Sequence, residues 1–227
     1  MTGTAVTYGH HVPGLIAPPG VYRPQADTLL LADALAKEPL GRHDEVLEIG
    51  TGTGALALDA AARGAAVTAV DVAWRAVLAA RLNAWRRRLR LRVLHGDFAA
   101  RTAGARFDLV LANPPYVPTP DASPPRGAAR AWDAGADGRA VIDRVCAAAA
   151  DVLRPGGVLL MVHSKLCGPE RTLALLTALG LRAQVTARAE VAWGPVLRSR
   201  RVWLEGQGLA EKGAEREELV VVRARRL

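Results

Sequence analysis

The chain has 227 residues and a net charge of +8, with 50% apolar and 23% charged residues. This balance excludes a wholly disordered chain and predicts one globular domain. Two cysteines are too few for a disulfide framework, and no apolar run reaches the roughly 18 residues that span a bilayer. We therefore expect a cytoplasmic protein rather than a secreted or membrane one.

The positive charge comes almost entirely from arginine, with 27 arginines against three lysines. This skew, in an alanine-rich chain, is typical of GC-rich coding, and we interpret the charge mainly as a compositional effect. The densest group consists of Arg86, Arg87, Arg88, Arg90 and Arg92. We expect it to be a solvated helix face, with RNA contact as the less favoured alternative.

The chain begins with a segment that differs from the rest. Residues 1–20 are rich in proline and glycine and predict an irregular N-terminal arm, whereas residues 21–227 predict a single domain. His10 and His11 lie in the arm, where we expect a mobile pair rather than a metal site, because no third ligand is near in sequence. No metal is expected elsewhere.

Short apolar strands alternate with helices beyond the arm. Strands are predicted at 46–49, 67–70, 91–94, 107–111 and 158–162, and helices from Asp27 to Gly41 and at 55–63, 74–89, 141–153 and 171–179. This alternation predicts an α/β fold with a mostly parallel sheet covered on both faces. Residues 181–191 and 219–222 predict an antiparallel edge hairpin, and residues 205–218 a flexible loop within it. The helix at 74–89 is predicted to be amphipathic from the spacing of Trp74, Val77, Leu78, Leu82, Trp85 and Leu89.

Three carboxylates follow predicted strands around a glycine-rich turn. The first strand runs through Glu48 into Gly50-Thr51-Gly52-Thr53-Gly54, Asp71 ends the second strand, and Asp97 follows the third. The carboxyl ends of parallel strands are where open α/β sheets bind ligands. Asp71 suits ribose hydroxyls, Asp97 an adenine amino group, and Glu48 a cationic or hydroxyl-rich ligand. A nicotinamide-binding turn is the alternative, since the glycine pattern also fits it.

The fourth strand ends in Asn113-Pro114-Pro115-Tyr116. Two prolines stop the strand and leave backbone carbonyls unpaired. The Asn113 oxygen and a proline carbonyl can accept both hydrogens of one planar NH₂ group, while the Tyr116 ring lies against its face. Accepting both hydrogens stabilises the charge that grows on the nitrogen as it attacks a sulfonium methyl. The tetrapeptide therefore predicts N-methyl transfer.

These motifs together resemble a class I S-adenosylmethionine-dependent methyltransferase of the HemK type, the protein glutamine N5-methyltransferases that modify the Gly-Gly-Gln motif of translation release factors. The resemblance runs from about Val21 to Arg201. Residues 20–30 are similar to a segment of the archaeal and eukaryotic subgroup, and so are residues 132–139, where Ala134 replaces a glycine. The resemblance implies a Rossmann-like, three-layer fold with a seven-stranded, mostly parallel sheet and an antiparallel edge hairpin.

The motifs and the resemblance together define the expected site. The expected catalytic residues are Asn113, Pro114, Pro115 and Tyr116. The expected residues for S-adenosylmethionine are Tyr22, Pro24, Thr28, Glu48, Gly50, Thr51, Gly52, Gly54, Asp71, Val72, Asp97, Phe98 and Asn113. We expect the long loop from Asn113 to Asp137 to cover the substrate, with Arg126 and Arg130 solvated. The resemblance also implies a protein substrate such as a release factor and a small activator protein.

Three other functions stay open from the sequence alone. An adenine N6-methyltransferase of DNA or RNA uses the same tetrapeptide, but no base-extracting or target-recognition segment is evident. A small-molecule N-methyltransferase would explain why only about 45 residues precede the first strand. A non-catalytic nucleotide-binding or nicotinamide-binding protein would not need the intact Asn-Pro-Pro-Tyr sequence.

Overall fold

A seven-stranded sheet of order β3-β2-β1-β4-β5-β7-β6 forms the centre of the computed structural model, which describes residues 14–227. Its strands are β1 (Glu45–Ile49), β2 (Ala66–Asp71), β3 (Leu91–His95), β4 (Phe107–Ala112), β5 (Leu153–Ser164), β6 (Leu181–Ala192) and β7 (Arg216–Arg226). The first five strands pair in parallel, and β7 pairs antiparallel with both β5 and β6. The predicted Rossmann-like sheet with an antiparallel edge hairpin is confirmed.

Helices cover both faces of this sheet. They are α1 (Ala26–Leu35), α2 (Ala55–Ala62), α3 (Trp74–Arg86), α4 (Phe98–Arg101), α5 (Ile142–Val152), α6 (Pro169–Ala178), α7 (Pro195–Ser199) and α8 (Arg201–Gly206). One apolar core lies between the sheet and α5 with α6, and the other between the sheet and α1, α2 and α3. Since α1 ends at Leu35, before Pro39, the predicted end at Gly41 was wrong.

The predicted flexible loop at 205–218 was wrong in its first and last parts. Helix α7 precedes it, α8 extends into it as far as Gly206, and β7 begins inside it at Arg216. Trp193, Leu197 and Leu204 are fully buried and form a small apolar cluster against Val117. Helices of five and six residues are too short to show a helical period, so the sequence pattern did not reveal them.

Helix α3 is amphipathic, but most of the large apolar residues that were predicted to form its buried face are exposed. Its buried side consists of small residues and Asn83, whereas Trp74, Leu78, Leu82 and Trp85 form an exposed stripe, the α3 outer face. Trp85 has 75% of its surface exposed. Small residues let the helix lie close to the sheet, and Asn83 exchanges two hydrogen bonds with the Ile16 backbone at 2.8 and 2.9 Å, which fixes the segment before α1 along the helix.

The described residues begin at Gly14, so His10 and His11 lie outside them. The division into an arm at 1–20 and a domain at 21–227 stays a prediction. Within residues 14–227, no helix combines the length and the apolar character needed to cross a membrane.

Candidate active site

A cleft of about 950 Å³ opens at the carboxyl ends of the parallel strands. It brings together nearly all of the expected site residues, namely Tyr22, Pro24, Thr28, Glu48, Gly50, Thr51, Gly52, Asp71, Val72, Asp97, Phe98, Asn113, Pro114, Pro115 and Tyr116. Gly54 is not among the lining residues. It begins α2 in a left-handed conformation, and a Cβ there would lie 3.2 Å from the Ala80 Cβ, so Gly54 serves the close packing of α2 on α3.

Asp71 braces the glycine turn. One carboxylate oxygen accepts from the Gly52 amide at 2.9 Å, and the other accepts from the Ala73 amide at 2.8 Å. Gly50 and Gly52 both have positive φ angles, 72° and 54°, which this tight turn requires. Burial raises the pKa of Asp71, opposed by these hydrogen bonds. The side chain therefore fixes the turn while lining the cleft.

Glu48 is almost fully buried, with 3% of its surface exposed. Its Oε2 accepts from the Thr51 hydroxyl at 2.5 Å and from the Ala57 amide at 3.1 Å. Burial raises the pKa of Glu48 to about 8. A cation bound beside this carboxyl would favour its charged form, so the residue fits the positively charged end of S-adenosylmethionine.

Asp97 is more exposed than the other two acids. It caps α4 by accepting from the Ala99 amide at 3.1 Å, and it pairs with Arg144 from α5. The Arg144 guanidinium holds the pKa of Asp97 below its usual range. The same guanidinium lies 5.0 Å from the centre of the Phe98 ring. Asp97, Phe98 and Arg144 all line the cleft.

Asn113 is oriented by a threonine from α1. Its amide nitrogen donates to the Thr28 hydroxyl at 3.2 Å, and that hydroxyl donates to Asp27 at 3.2 Å. The oxygen is the only acceptor of the Asn113 side chain, and this hydrogen bond turns it away from Thr28, where it can accept from a substrate. Thr28 was expected to bind the cofactor, and in the structure it also orients Asn113.

Asp27 connects both ends of the tetrapeptide. One carboxylate oxygen accepts from Thr28, and the other accepts from the Tyr22 hydroxyl at 2.8 Å and the Tyr116 hydroxyl at 3.2 Å. Burial raises the pKa of Tyr22 and of Tyr116, so both phenols are neutral donors. Sequence reasoning missed Asp27, because an acid near a helix start is ordinarily a cap.

The long loop after Asn113 is held in place from several sides. Val117 bridges to Asp133, and Arg200 pairs with Asp133 at 2.6 Å and donates to the Pro118 carbonyl at 2.9 Å. A Cβ on Gly138 would come within 2.4 Å of the Tyr116 carbonyl oxygen, which requires glycine there. The loop lines the cleft through Val117, Pro124, Pro125, Gly127, Arg130, Ala131, Trp132 and Asp133.

A second missed residue, Glu217, lines the cleft from β7. It lies in the segment that was expected to be a flexible loop, so no sequence signal pointed to it. Burial raises the pKa of Glu217 to about 7, with a smaller increase from Asp27 and an opposing hydrogen bond from Ser164. In the part of the chain that the structure describes, no cluster of histidine, cysteine and acidic side chains could hold a metal ion.

Known proteins resemble this chain in sequence and in fold. Residues 15–125 match the methyltransferase small domain family. A protein of Methanocaldococcus jannaschii named as a protein N5-glutamine methyltransferase is 34% identical over 175 residues, which cover 76% of this chain and 87% of that protein. The release factor glutamine methyltransferase of Bordetella pertussis is 38% identical over 183 residues, covering 77% of this chain and 67% of that enzyme.

Solved structures share the fold. Mtq2 of E. cuniculi, solved with Trm112 and responsible for methylation of the termination factor eRF1, has a TM-score of 0.64 at 23% identity and covers 92% of this chain and 99% of its own. The 16S rRNA methyltransferase RsmC of T. thermophilus was solved with S-adenosylmethionine and guanosine. It has a TM-score of 0.58 at 26% identity, and the match covers 96% of this chain and 46% of RsmC. The chain therefore belongs to the protein N5-glutamine methyltransferase family of S-adenosylmethionine-dependent enzymes.

Proposed function

We propose that this protein methylates the side-chain amide nitrogen of a glutamine in a protein, with a translation release factor as the favoured substrate. The observation that carries this proposal is the orientation of Asn113, whose amide nitrogen donates to Thr28 and whose oxygen is left for the acceptor. The named activity of the Bordetella relative supports the same substrate. An enzyme of a translation factor works in the cytoplasm, which is the compartment we propose.

The chain's own contribution to the reaction is to bind and orient an NH₂ group. When bound, S-adenosylmethionine supplies an activated methyl group. We propose that the Asn113 oxygen and the Pro114 carbonyl accept the two hydrogens of the acceptor nitrogen, and that the Tyr116 ring packs against its face. Fixed acceptors of this kind stabilise the positive charge that develops on the nitrogen, typically by a hundredfold to a thousandfold in rate.

The cofactor residues divide by their chemistry. We propose that Gly50 and Gly52 give close backbone approach, that Asp71 accepts from ribose hydroxyls and that Asp97 accepts from the adenine amino group. Glu48 would pair with the positive charge of the methionine portion. Each carboxylate also holds a loop or helix end by accepting from the backbone, so these side chains are fixed before any ligand arrives.

Nucleic acid is the less favoured acceptor. In the arginine group at 86–92, Arg86 ends α3 and the others lie in the following turn and on β3, so the predicted helix face was wrong. Ala73 and Ala76, at the other end of α3, line the cleft, whereas none of these arginines does. Twelve residues of helix separate those ends by roughly 18 Å. These arginines therefore form no part of the cleft wall around the Asn113 oxygen.

We also propose that a small partner protein covers the α3 outer face. The stripe lies beside β3, which is an unpaired edge of the sheet, and exposed arginines surround both. A second copy of this chain would bring like charges together, so the fitting partner has an apolar surface with an acidic rim. Mtq2 of E. cuniculi, which shares the fold, was solved with a second protein, Trm112. Calorimetry with a Trm112-like protein should give binding that Trp85→Asp abolishes and Val202→Asp leaves unchanged; no binding would contradict the proposal.

The acceptor is tested by direct competition. Labelled S-adenosylmethionine would be incubated with the protein and, in parallel, a release factor, its Gly-Gly-Gln to Gly-Gly-Ala variant, total RNA and a metabolite extract. We expect label only in the release factor with the intact glutamine. Label in the alanine variant, or preferential labelling of RNA, would refute the proposed substrate.

A further inference from the structure

Glu217 is half-buried, and its carboxyl group has no role in the tetrapeptide chemistry. It lies on β7, lines the same cleft as Asn113 and Tyr116, and accepts a hydrogen bond from Ser164 at the end of β5. Its Oε2 is shielded from solvent and has no hydrogen-bond partner among the described residues. Native structures rarely leave a buried carboxylate oxygen unpaired, so this atom calls for a functional explanation.

Among the acids at this wall of the cleft, Glu217 is the one with a carboxylate oxygen that accepts no hydrogen bond from the described residues. The titratable neighbours that act on it or feel its charge are Asp27, Tyr22, Tyr116 and Cys167. Both oxygens of Asp27 are already occupied by Tyr22, Tyr116 and Thr28. The neighbouring thiol and phenols remain protonated, because burial raises the pKa of each. Glu217 is thus the acceptor at this wall of the cleft that is not yet satisfied.

Methylation of any NH₂ group also releases a proton. The Asn113 oxygen and the Pro114 carbonyl are neutral hydrogen-bond acceptors and too weakly basic to keep that proton. We propose that Glu217 is the general base of the reaction and that its carboxylate takes the proton from the acceptor nitrogen. The inference rests on the proposed function only in requiring that the methyl acceptor is a nitrogen that carries hydrogen.

The step balances in atoms and charge. A bond forms between the nitrogen and the methyl carbon, the bond from that carbon to sulfur breaks with its electron pair left on sulfur, and the N–H electron pair returns to nitrogen as the proton moves to Glu217. One positive and one negative charge disappear together, so no net charge is created in a buried cleft. Glu217 releases its proton to water after the product leaves. A carboxyl with a pKa of about 7 is well matched to this task near neutral pH.

The test compares Glu217→Gln with Glu218→Gln. The adjacent residue points to the opposite side of the strand and pairs with Arg188, so it controls for general effects of a lost charge on β7. We expect Glu217→Gln to lower kcat about a hundredfold, with cofactor affinity by calorimetry within about twofold of wild type. The wild-type rate should rise with pH through about 7, and this rise should be absent in Glu217→Gln.

Two further measurements guard against a purely structural effect. Ser164→Ala removes the hydrogen bond that lowers the pKa of Glu217, so the rise in rate should move to higher pH. Thermal unfolding without cofactor should show wild-type stability falling between about pH 5 and 7, because the folded state holds a proton that the unfolded chain releases. Glu217→Gln should lose that part of the decline.

All rates are to be measured on whichever nitrogen acceptor the wild type methylates best. If that acceptor is RNA, the proposed glutamine substrate fails, while a hundredfold loss in Glu217→Gln still supports the general base. Wild-type kcat and an unchanged pH profile in Glu217→Gln would overturn the inference, as would an equal loss in Glu218→Gln.

Discussion

Replacing Thr28 by valine should lower turnover without disturbing the fold. The hydroxyl is the acceptor for the Asn113 amide nitrogen at 3.2 Å and the donor to Asp27 at 3.2 Å. Valine has nearly the same shape but no oxygen, so Asn113 loses the contact that decides which of its two amide atoms faces the acceptor. A neutral hydrogen bond contributes about 0.5–1.5 kcal/mol, which corresponds to roughly a twofold to tenfold loss in kcat.

Steady-state kinetics and calorimetry distinguish the two roles of Thr28. If it orients Asn113, Thr28→Val lowers kcat and leaves the Kd of S-adenosylmethionine nearly unchanged, while Thr28→Ser, which keeps the hydroxyl, retains most of the activity. A melting temperature close to that of the wild type would show that the change is local. A variant that binds the cofactor weakly but turns over at the wild-type rate when saturated would refute the orienting role.

Three other variants test the rest of the site. Asp71→Asn should weaken S-adenosylmethionine binding by about 1.5–3 kcal/mol in calorimetry, because a charged acceptor is lost, and unchanged affinity would contradict its role. Burial raises the pKa of Glu48 from 4.5 to about 8; since the folded state then holds a proton that the unfolded state has lost, stability without cofactor should fall as pH rises through that window. In thermal scans Glu48→Gln should remove its own share of this decline and leave the share that Glu217 contributes, and an identical pH dependence would count against it. Gly138→Ala should lower both melting temperature and activity, because its Cβ would lie 2.4 Å from the Tyr116 oxygen, and a fully active variant would show that the loop adjusts freely.

The parallel part of the sheet could be predicted because its strands are short apolar runs separated by helices. The region after Trp193 could not, since α7 and α8 are shorter than two helical turns and their few apolar residues become meaningful only when packed on Val117. The sequence pattern also predicted that the large apolar residues of α3 face the core, whereas Trp74, Leu78, Leu82 and Trp85 face solvent. Periodicity identifies an apolar face but not whether the sheet or the solvent lies opposite it.

Much of the site could be predicted because its chemistry is concentrated at strand ends. Glu48 and Asp71 lie at the carboxyl ends of parallel strands, and the Asn113 tetrapeptide follows one. Such strand ends converge at one edge of the sheet. Asp27 and Glu217 come from the two ends of the chain, from a helix start and from an antiparallel strand. Only the tertiary fold brings them beside Tyr116, so no local spacing could have indicated them.

The central claim is that the Asn113 oxygen activates a glutamine amide. The most direct measurement is site-resolved mass spectrometry of a release factor that has been methylated by the wild type, by Asn113→Asp or by Asn113→Ala. We predict one methyl group on the glutamine of Gly-Gly-Gln, with turnover reduced about a hundredfold to a thousandfold in Asn113→Ala and less in Asn113→Asp, which keeps an acceptor oxygen. Cofactor binding should persist in both variants. Methylation at another residue, or equal turnover by the wild type and Asn113→Ala, would contradict the mechanism.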